Sequence, residues 1–281
     1  MVLENIEELR NVSRKIRQYV LAMAYQAGGA HIAPAFSVVD ILVSLYWNYL
    51  NIDPGNVKAP DRDRFILSKG HGCVALYAIL AERGFISKEE LKKFCKIGGI
   101  LGGHPDKLKV EGVEASTGSL GHGISIACGV ALSGKKKGQN YKVLALLGDG
   151  ECQEGSVWEA AMFAASQKLD NLIAIVDHNR LQGMGEVDEI SSLSPIAEKW
   201  RSFGWSVKEI DGHDFSQLIE CLGKIPFNQE KPSLIVANTV KGKGVTFMEN
   251  KAIWHYRLPN DEELKIACKE LQIDQIGEVL S

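Results

Sequence analysis

Lys142-Val143-Leu144-Ala145-Leu146-Leu147-Gly148-Asp149-Gly150 is a short apolar run that ends in an acid held between two glycines. Ser156 to Gln167 then repeats apolar residues at helical spacing, and Asn171 to Asp177 is a second apolar run. Strand, helix and strand in this order predict a βαβ unit, whose two strands run parallel and side by side. Trp205 to Ile210 and Ser233 to Asn238 give two further strand candidates with helical segments between them. The alternation predicts an α/β fold with a mainly parallel sheet and helices on both faces.

Towards the N-terminus the spacing predicts helices from Ile6 to Met23 and from Val38 to Tyr49, parted by the turn Ala27-Gly28-Gly29-Ala30 that leads into His31. Ser68-Lys69-Gly70-His71-Gly72 precedes an apolar helix, Gly102-Gly103-His104-Pro105 reads as a loop, and Thr117-Gly118-Ser119-Leu120-Gly121 opens another helix. All seven histidines (His31, His71, His104, His122, His178, His213 and His255) fall in or beside such loops. Loops at the carboxyl ends of parallel strands gather binding groups, so several of these imidazoles are expected in one crevice. With no repeat and no low-complexity linker, residues 1–281 read as a single domain.

Composition narrows the function classes. Hydrophobic residues at 45% and charged residues at 24% belong to an ordinary globular chain, neither disordered nor membrane-embedded. Lys and Arg number 32 against 35 Asp and Glu, which leaves no basic excess for tracking a nucleic-acid backbone. The six cysteines show no CxxC pair and no zinc-type spacing, so they read as reduced thiols. Met1 to Arg17 is charged and amphipathic without a signal-peptide core, and no run approaches 18 apolar residues. A cytoplasmic protein without membrane or nucleic-acid partners is the expectation.

The chemistry concentrates where the two βαβ strands end. Asn179 stands 30 residues after Asp149, just past the second strand, so both side chains can face one crevice. A carboxylate and an amide oxygen are hard donors that suit Mg2+ or Ca2+, and phosphate oxygens would complete the shell. Gly148 and Gly150 let the backbone approach an anion, and a helix starting near Glu154 is expected to point its free N–H groups at it.

Gly148-Asp149-Gly150-Glu151 through Asn179 resembles the thiamine diphosphate signature, and Glu154-Gly155-Ser156-Val157-Trp158-Glu159-Ala160 resembles transketolases in particular. The resemblance runs through the His31 loop, Ser68 to Gly72, Gly102 to Pro105, Thr117 to Gly121, Ile210 to Asp214, Lys241 to Gly244 and the Trp254-His255 pair, and so covers nearly the whole chain as the N-terminal domain of that family. It implies that Asp149, Asn179 and the main-chain carbonyl of Leu181 hold the metal. It implies that His71, Gly118, Ser119, Leu120, Gly148, Gly150, Glu154 and His255 line the cofactor, and that His31, His71, His104 and His255 serve catalysis. Glu154 and Glu159 match an acidic cluster at the interface between two active sites. Ala30-His31-Ile32, Gly118-Ser119-Leu120 and His122 depart from the family pattern.

By the same resemblance, the function is transfer of a two-carbon ketol unit between sugar phosphates. In the family a glutamate from a second domain activates the aminopyrimidine, and the expectation is that this sequence stops where that domain would begin. A partner subunit carrying the pyrimidine-binding half is therefore implied, in an α2β2 arrangement. Two alternatives stand beside this reading: the α subunit of a 2-oxo acid dehydrogenase, and a non-catalytic cofactor-binding subunit.

Overall fold

The computed structural model describes residues 5–281. Of the amphipathic stretch from Met1 to Arg17, residues 1–4 lie outside the described ones. Five strands, β1 (Arg64–Leu67), β2 (Val143–Gly148), β3 (Leu172–His178), β4 (Ser206–Asp211) and β5 (Ser233–Asn238), form one parallel sheet in the order β1-β2-β3-β5-β4. Four of them match the sequence expectation. The fifth, β1, is four residues long, too short to show a period.

Strand alternation explains the two-sided cover. On β2, Leu144 and Leu146 enter one apolar core, whereas Val143, Ala145 and Leu147 enter another. Successive side chains of a strand point to opposite faces, so a run buried throughout needs helices on both sides. The first core is closed by α1 (Ile6–Ala27), α2 (Ile32–Phe36), α3 (Val39–Ser44) and α4 (Cys73–Arg83). The second core takes α5 (Gly123–Lys136) and α6 (Gly155–Ser166). A short α7 (Val187–Ser191) follows, and α8 (Ile196–Ser202) adds Ile196, Ala197 and Trp200 to the second core. Finally, α9 (Phe215–Leu222) and α10 (Asp261–Glu270) return to the first.

The helix expected from Val38 to Tyr49 is α3 continued by a π-helical turn, Leu45–Tyr49. Together with α2 this apolar stretch, Ile32–Tyr49, is 89% buried, which is the setting of a core segment.

Local chemistry sets the ends of elements that feed the site. Helix α1 starts at Asn5, whose side chain accepts the Glu7 N–H at 2.9 Å. It stops at Gly28, which takes φ of 75°. That left-handed turn satisfies the last carbonyls and throws Gly29, Ala30 and His31 over the carboxyl edge of the sheet.

Candidate active site

A cavity of about 230 Å³ opens at the carboxyl ends of β1, β2 and β3. Asp149 and Asn179 reach it from the ends of the two βαβ strands, and both are nearly buried. Asp149 Oδ1 accepts the Gly150 N–H at 2.8 Å, and its Oδ2 accepts the Arg180 N–H at 2.5 Å. Burial, then the neighbouring Asp177, push its carboxyl up to about 6 despite those two bonds and Lys69.

Asp177 organises the floor. Its carboxylate accepts from Lys69 Nζ at 2.5 Å, Ser37 Oγ at 2.7 Å, Asn179 Nδ2 at 2.9 Å and the Thr239 hydroxyl. Burial works against its ionisation, but Lys69 and these bonds outweigh it and hold the carboxyl below its usual value. An ionised carboxylate only accepts, so it draws the Asn179 amide nitrogen to itself. The Asn179 oxygen then faces away from Asp177 and accepts the Leu181 N–H at 3.0 Å.

Two lysines face the same space. Lys69 gives one N–H to Asp177 and one to the Pro34 carbonyl at 3.1 Å, which leaves one of its three donors for the cavity. Lys241 Nζ bonds the carbonyls of Leu181 at 3.0 Å and Gln182 at 3.3 Å and lies 2.9 Å from His255 Nδ1. An ammonium only donates, so Nδ1 accepts and neutral His255 carries its proton on Nε2. Burial and then Lys69 lower the Lys241 ammonium to about 8.

Four of the seven histidines converge. His31 lies 5.4 Å from His71, 5.3 Å from His255 and 6.2 Å from His104, ring centre to ring centre. Burial, followed by the neighbouring imidazole His104 and both lysines, lowers His31 to about 4. Burial, then Lys241, brings His255 to about 3, and burial with Lys69 holds His71 well below 6.5. These three rings are therefore neutral near pH 7. The other three histidines have different surroundings. His213 Nδ1 contacts Asp40 at 2.7 Å and its Nε2 accepts the Val240 N–H at 2.8 Å, a structural link. His122 is exposed at the start of α5, and His178 ends β3 with a buried Nδ1.

Gly118, Leu120, Gly148, Gly150 and Leu181 line the cavity as the sequence implied, together with His31, His71 and His255. Glu154, Ser119 and His104 do not. Glu154 is exposed beside Gly121, because a 3-10 turn, Gly150–Gln153, separates Asp149 from α6. The helix thus starts where expected, at Glu154, but one turn away from the cavity. Ser119 points outward, and His104 stands at the rim against His31.

Four charged residues escaped the sequence reading: Lys69, Lys241, Asp177 and Glu151. Buried Glu151 accepts from Ser68 Oγ at 2.5 Å, Gly121 N–H at 2.9 Å and Gly148 N–H at 3.1 Å, and so pins the loop before α5 to the ends of β1 and β2. Only Asp177 left a usable signal, a charged residue at the end of an otherwise apolar strand run.

The donor set suits a divalent cation with a diphosphate. It offers one carboxylate, one amide oxygen and the Leu181 carbonyl, whose second lone pair remains beside the Lys241 bond. Among the described residues no three His, Cys, Asp or Glu side chains group as a metal site, so a cation here would need ligand oxygens as well.

Comparison with known proteins agrees with this geometry. The transketolase thiamine diphosphate binding domain model matches residues 9–276. The chain is 41% identical over 266 residues to an apulose-4-phosphate transketolase subunit of Phocaeicola vulgatus, covering 95% of this chain and 94% of that one. It is 40% identical over 265 residues to the 6-deoxy-6-sulfo-D-fructose transketolase subunit SqwG of Clostridium sp., covering 94% and 96%. Against the transketolase of Campylobacter jejuni the TM-score is 0.90 at 30% identity, over 96% of this chain and 43% of that one. The chain thus spans nearly all of the two subunits and less than half of the Campylobacter enzyme. These matches decide against a 2-oxo acid dehydrogenase subunit: the chain belongs to the transketolase family, as a thiamine diphosphate-binding subunit.

Proposed function

We propose that this chain is the diphosphate-binding subunit of a two-chain transketolase that moves a two-carbon ketol unit between sugar phosphates. The observation that carries this reading is the meeting of hard oxygen donors, two buried lysines and neutral imidazoles in one cavity. Asp149, Asn179 and the Leu181 carbonyl would hold Mg2+ or Ca2+, and the free N–H of Lys69 would face the diphosphate while Lys241, its donors spent on Leu181, Gln182 and His255, would contribute charge. Thiamine diphosphate, when bound, supplies the electron sink for carbon–carbon bond cleavage. The protein's own groups do the rest. His255 offers an Nε2–H donor, and the neutral rings of His31 and His71 can each donate and accept. His104 at the rim is placed to meet sugar hydroxyls.

The cavity's two carboxyl residues are Asp149 and Glu151, and Glu151 is committed to three hydrogen bonds. Activation of the pyrimidine is therefore assigned to a second subunit. An α2β2 assembly is supported by exposed Ile126 on α5 and exposed Met162 and Phe163 on α6, the last two at helical spacing from Glu159. Co-expression with a candidate partner and a ketol-transfer assay on sugar phosphates tests the reading. A complex that binds thiamine diphosphate but transfers nothing would support the non-catalytic alternative instead.

A further inference from the structure

Tyr256 ends the 3-10 turn Ala252–Tyr256, directly after His255. The residue is 63% exposed, yet its ring packs edge-on to His31 with centroids 4.8 Å apart. A β-carbon on Gly29 would lie 3.0 Å from the Tyr256 hydroxyl, so the tip of the ring sits close over this glycine. The ring thus spans the gap between the His255 turn and the Gly28–Gly29 turn.

Its neighbours hold it in place. Trp254 is buried and packs on Phe247 with centroids 5.0 Å apart. Arg257 lies 4.2 Å over the Trp254 ring and donates to both Glu263 oxygens at 2.8 and 2.9 Å. With both flanks anchored, Tyr256 has only two side-chain torsions left, so a large apolar surface stays fixed at little entropic cost.

We propose that Tyr256 is a specificity-determining residue that walls the sugar passage beside His31 and sets the length of acceptor sugar admitted. This rests on the transketolase reading. The lysines and oxygen donors at the cavity floor claim the diphosphate end, so a sugar must approach over the imidazole rim. As its carbon chain lengthens, the sugar meets the Tyr256 ring, whose backbone is held by the pinned turn and whose hydroxyl lies close over Gly29. Short aldose phosphates pass and longer ones are disfavoured.

The test uses the complex with its partner subunit, measuring kcat and KM for aldose phosphates of three, four and five carbons. Tyr256→Ala should improve kcat/KM for the five-carbon acceptor relative to the three-carbon one by about ten-fold, the scale on which a pocket wall discriminates small changes in size. Tyr256→Phe, which keeps the wall, should leave that ratio as it was. An unchanged ratio in Tyr256→Ala, or equal changes for all three lengths, overturns the proposal. So does weaker binding of the partner subunit at an unchanged ratio, which would make Tyr256 an interface contact. If the unaltered complex transfers no ketol unit to any acceptor, the functional reading itself fails, a result distinct from all of these.

Discussion

Lys69 Nζ lies 2.5 Å from Asp177 Oδ2 with both side chains almost completely buried. Removing one partner of such a pair leaves a charge without compensation, which costs about 3–5 kcal/mol. Lys69→Met should therefore lower unfolding free energy by about that amount in denaturant titrations. The double variant Lys69→Met with Asp177→Leu should lose less than the two single losses together, since neither charge is then stranded. Additive losses would show that the two side chains do not stabilise each other.

The imidazole cluster sets a pH dependence. His31 and His255 have folded values of about 4 and about 3 against an ordinary 6.5. As pH falls below 6.5 the unfolded chain takes up protons that the folded chain still refuses, so unfolding is favoured. The contribution is complete above 6.5 and is lost as pH falls towards 4 and then 3. The melting temperature of the cofactor-free chain should fall across that window, and His31→Gln or His255→Gln should each flatten the fall. A profile flat from pH 7 to 4 would contradict the burial and lysine fields assigned to these rings.

Metal and cofactor binding should separate Asp149 from Asn179. Asp149→Ala removes the one carboxylate in the proposed donor set, and calorimetry with Mg2+ and thiamine diphosphate should show no binding. Asn179→Ala removes a neutral oxygen and should weaken binding strongly without abolishing it. Normal affinity in the Asp149 variant would remove the metal assignment.

The βαβ unit was legible because β2 and β3 are apolar throughout and flank a helix with clear spacing, and Asp149 and Asn179 follow from it by position alone. Strand β1 was hidden by its four-residue length. Lys69 and Lys241 look like surface residues in sequence, and Asp177 looks like the end of a strand. Their partners, Pro34, Ser37, Thr239 and the Leu181 carbonyl, come from segments far apart in the chain. Glu154 misled for the converse reason: a helix start was placed well, but an intervening 3-10 turn moved it off the cavity.

His31→Ala, His71→Ala, His104→Ala and His255→Ala should each lower turnover of the assembled complex by about 10²–10⁴-fold, as loss of a placed proton-transfer group does. Stability should change less than activity, most clearly for exposed His104. His213→Ala is the contrast: it breaks the link between Asp40 and the Val240 N–H and should lower melting temperature more than activity per folded molecule. If the His31 variant melts early while its folded fraction keeps full turnover, that ring is a packing residue.

The chain alone, saturated with Mg2+ and thiamine diphosphate, should show no ketol transfer above background. On the proposed assignment its cavity would grip a diphosphate through oxygen donors and Lys69, but Asp149 is assigned to the cation and Glu151 is tied to Ser68, Gly121 and Gly148. Neither carboxylate is free to activate a pyrimidine ring. A cofactor held at one end only should bind weakly and exchange its C2 proton slowly. Adding the complementary subunit should raise both affinity and exchange rate, because a cofactor bridging two chains favours the assembled state by mass action. Proton exchange followed by NMR, with and without the partner, checks this directly, and full activity from the purified single chain would sink the two-subunit reading.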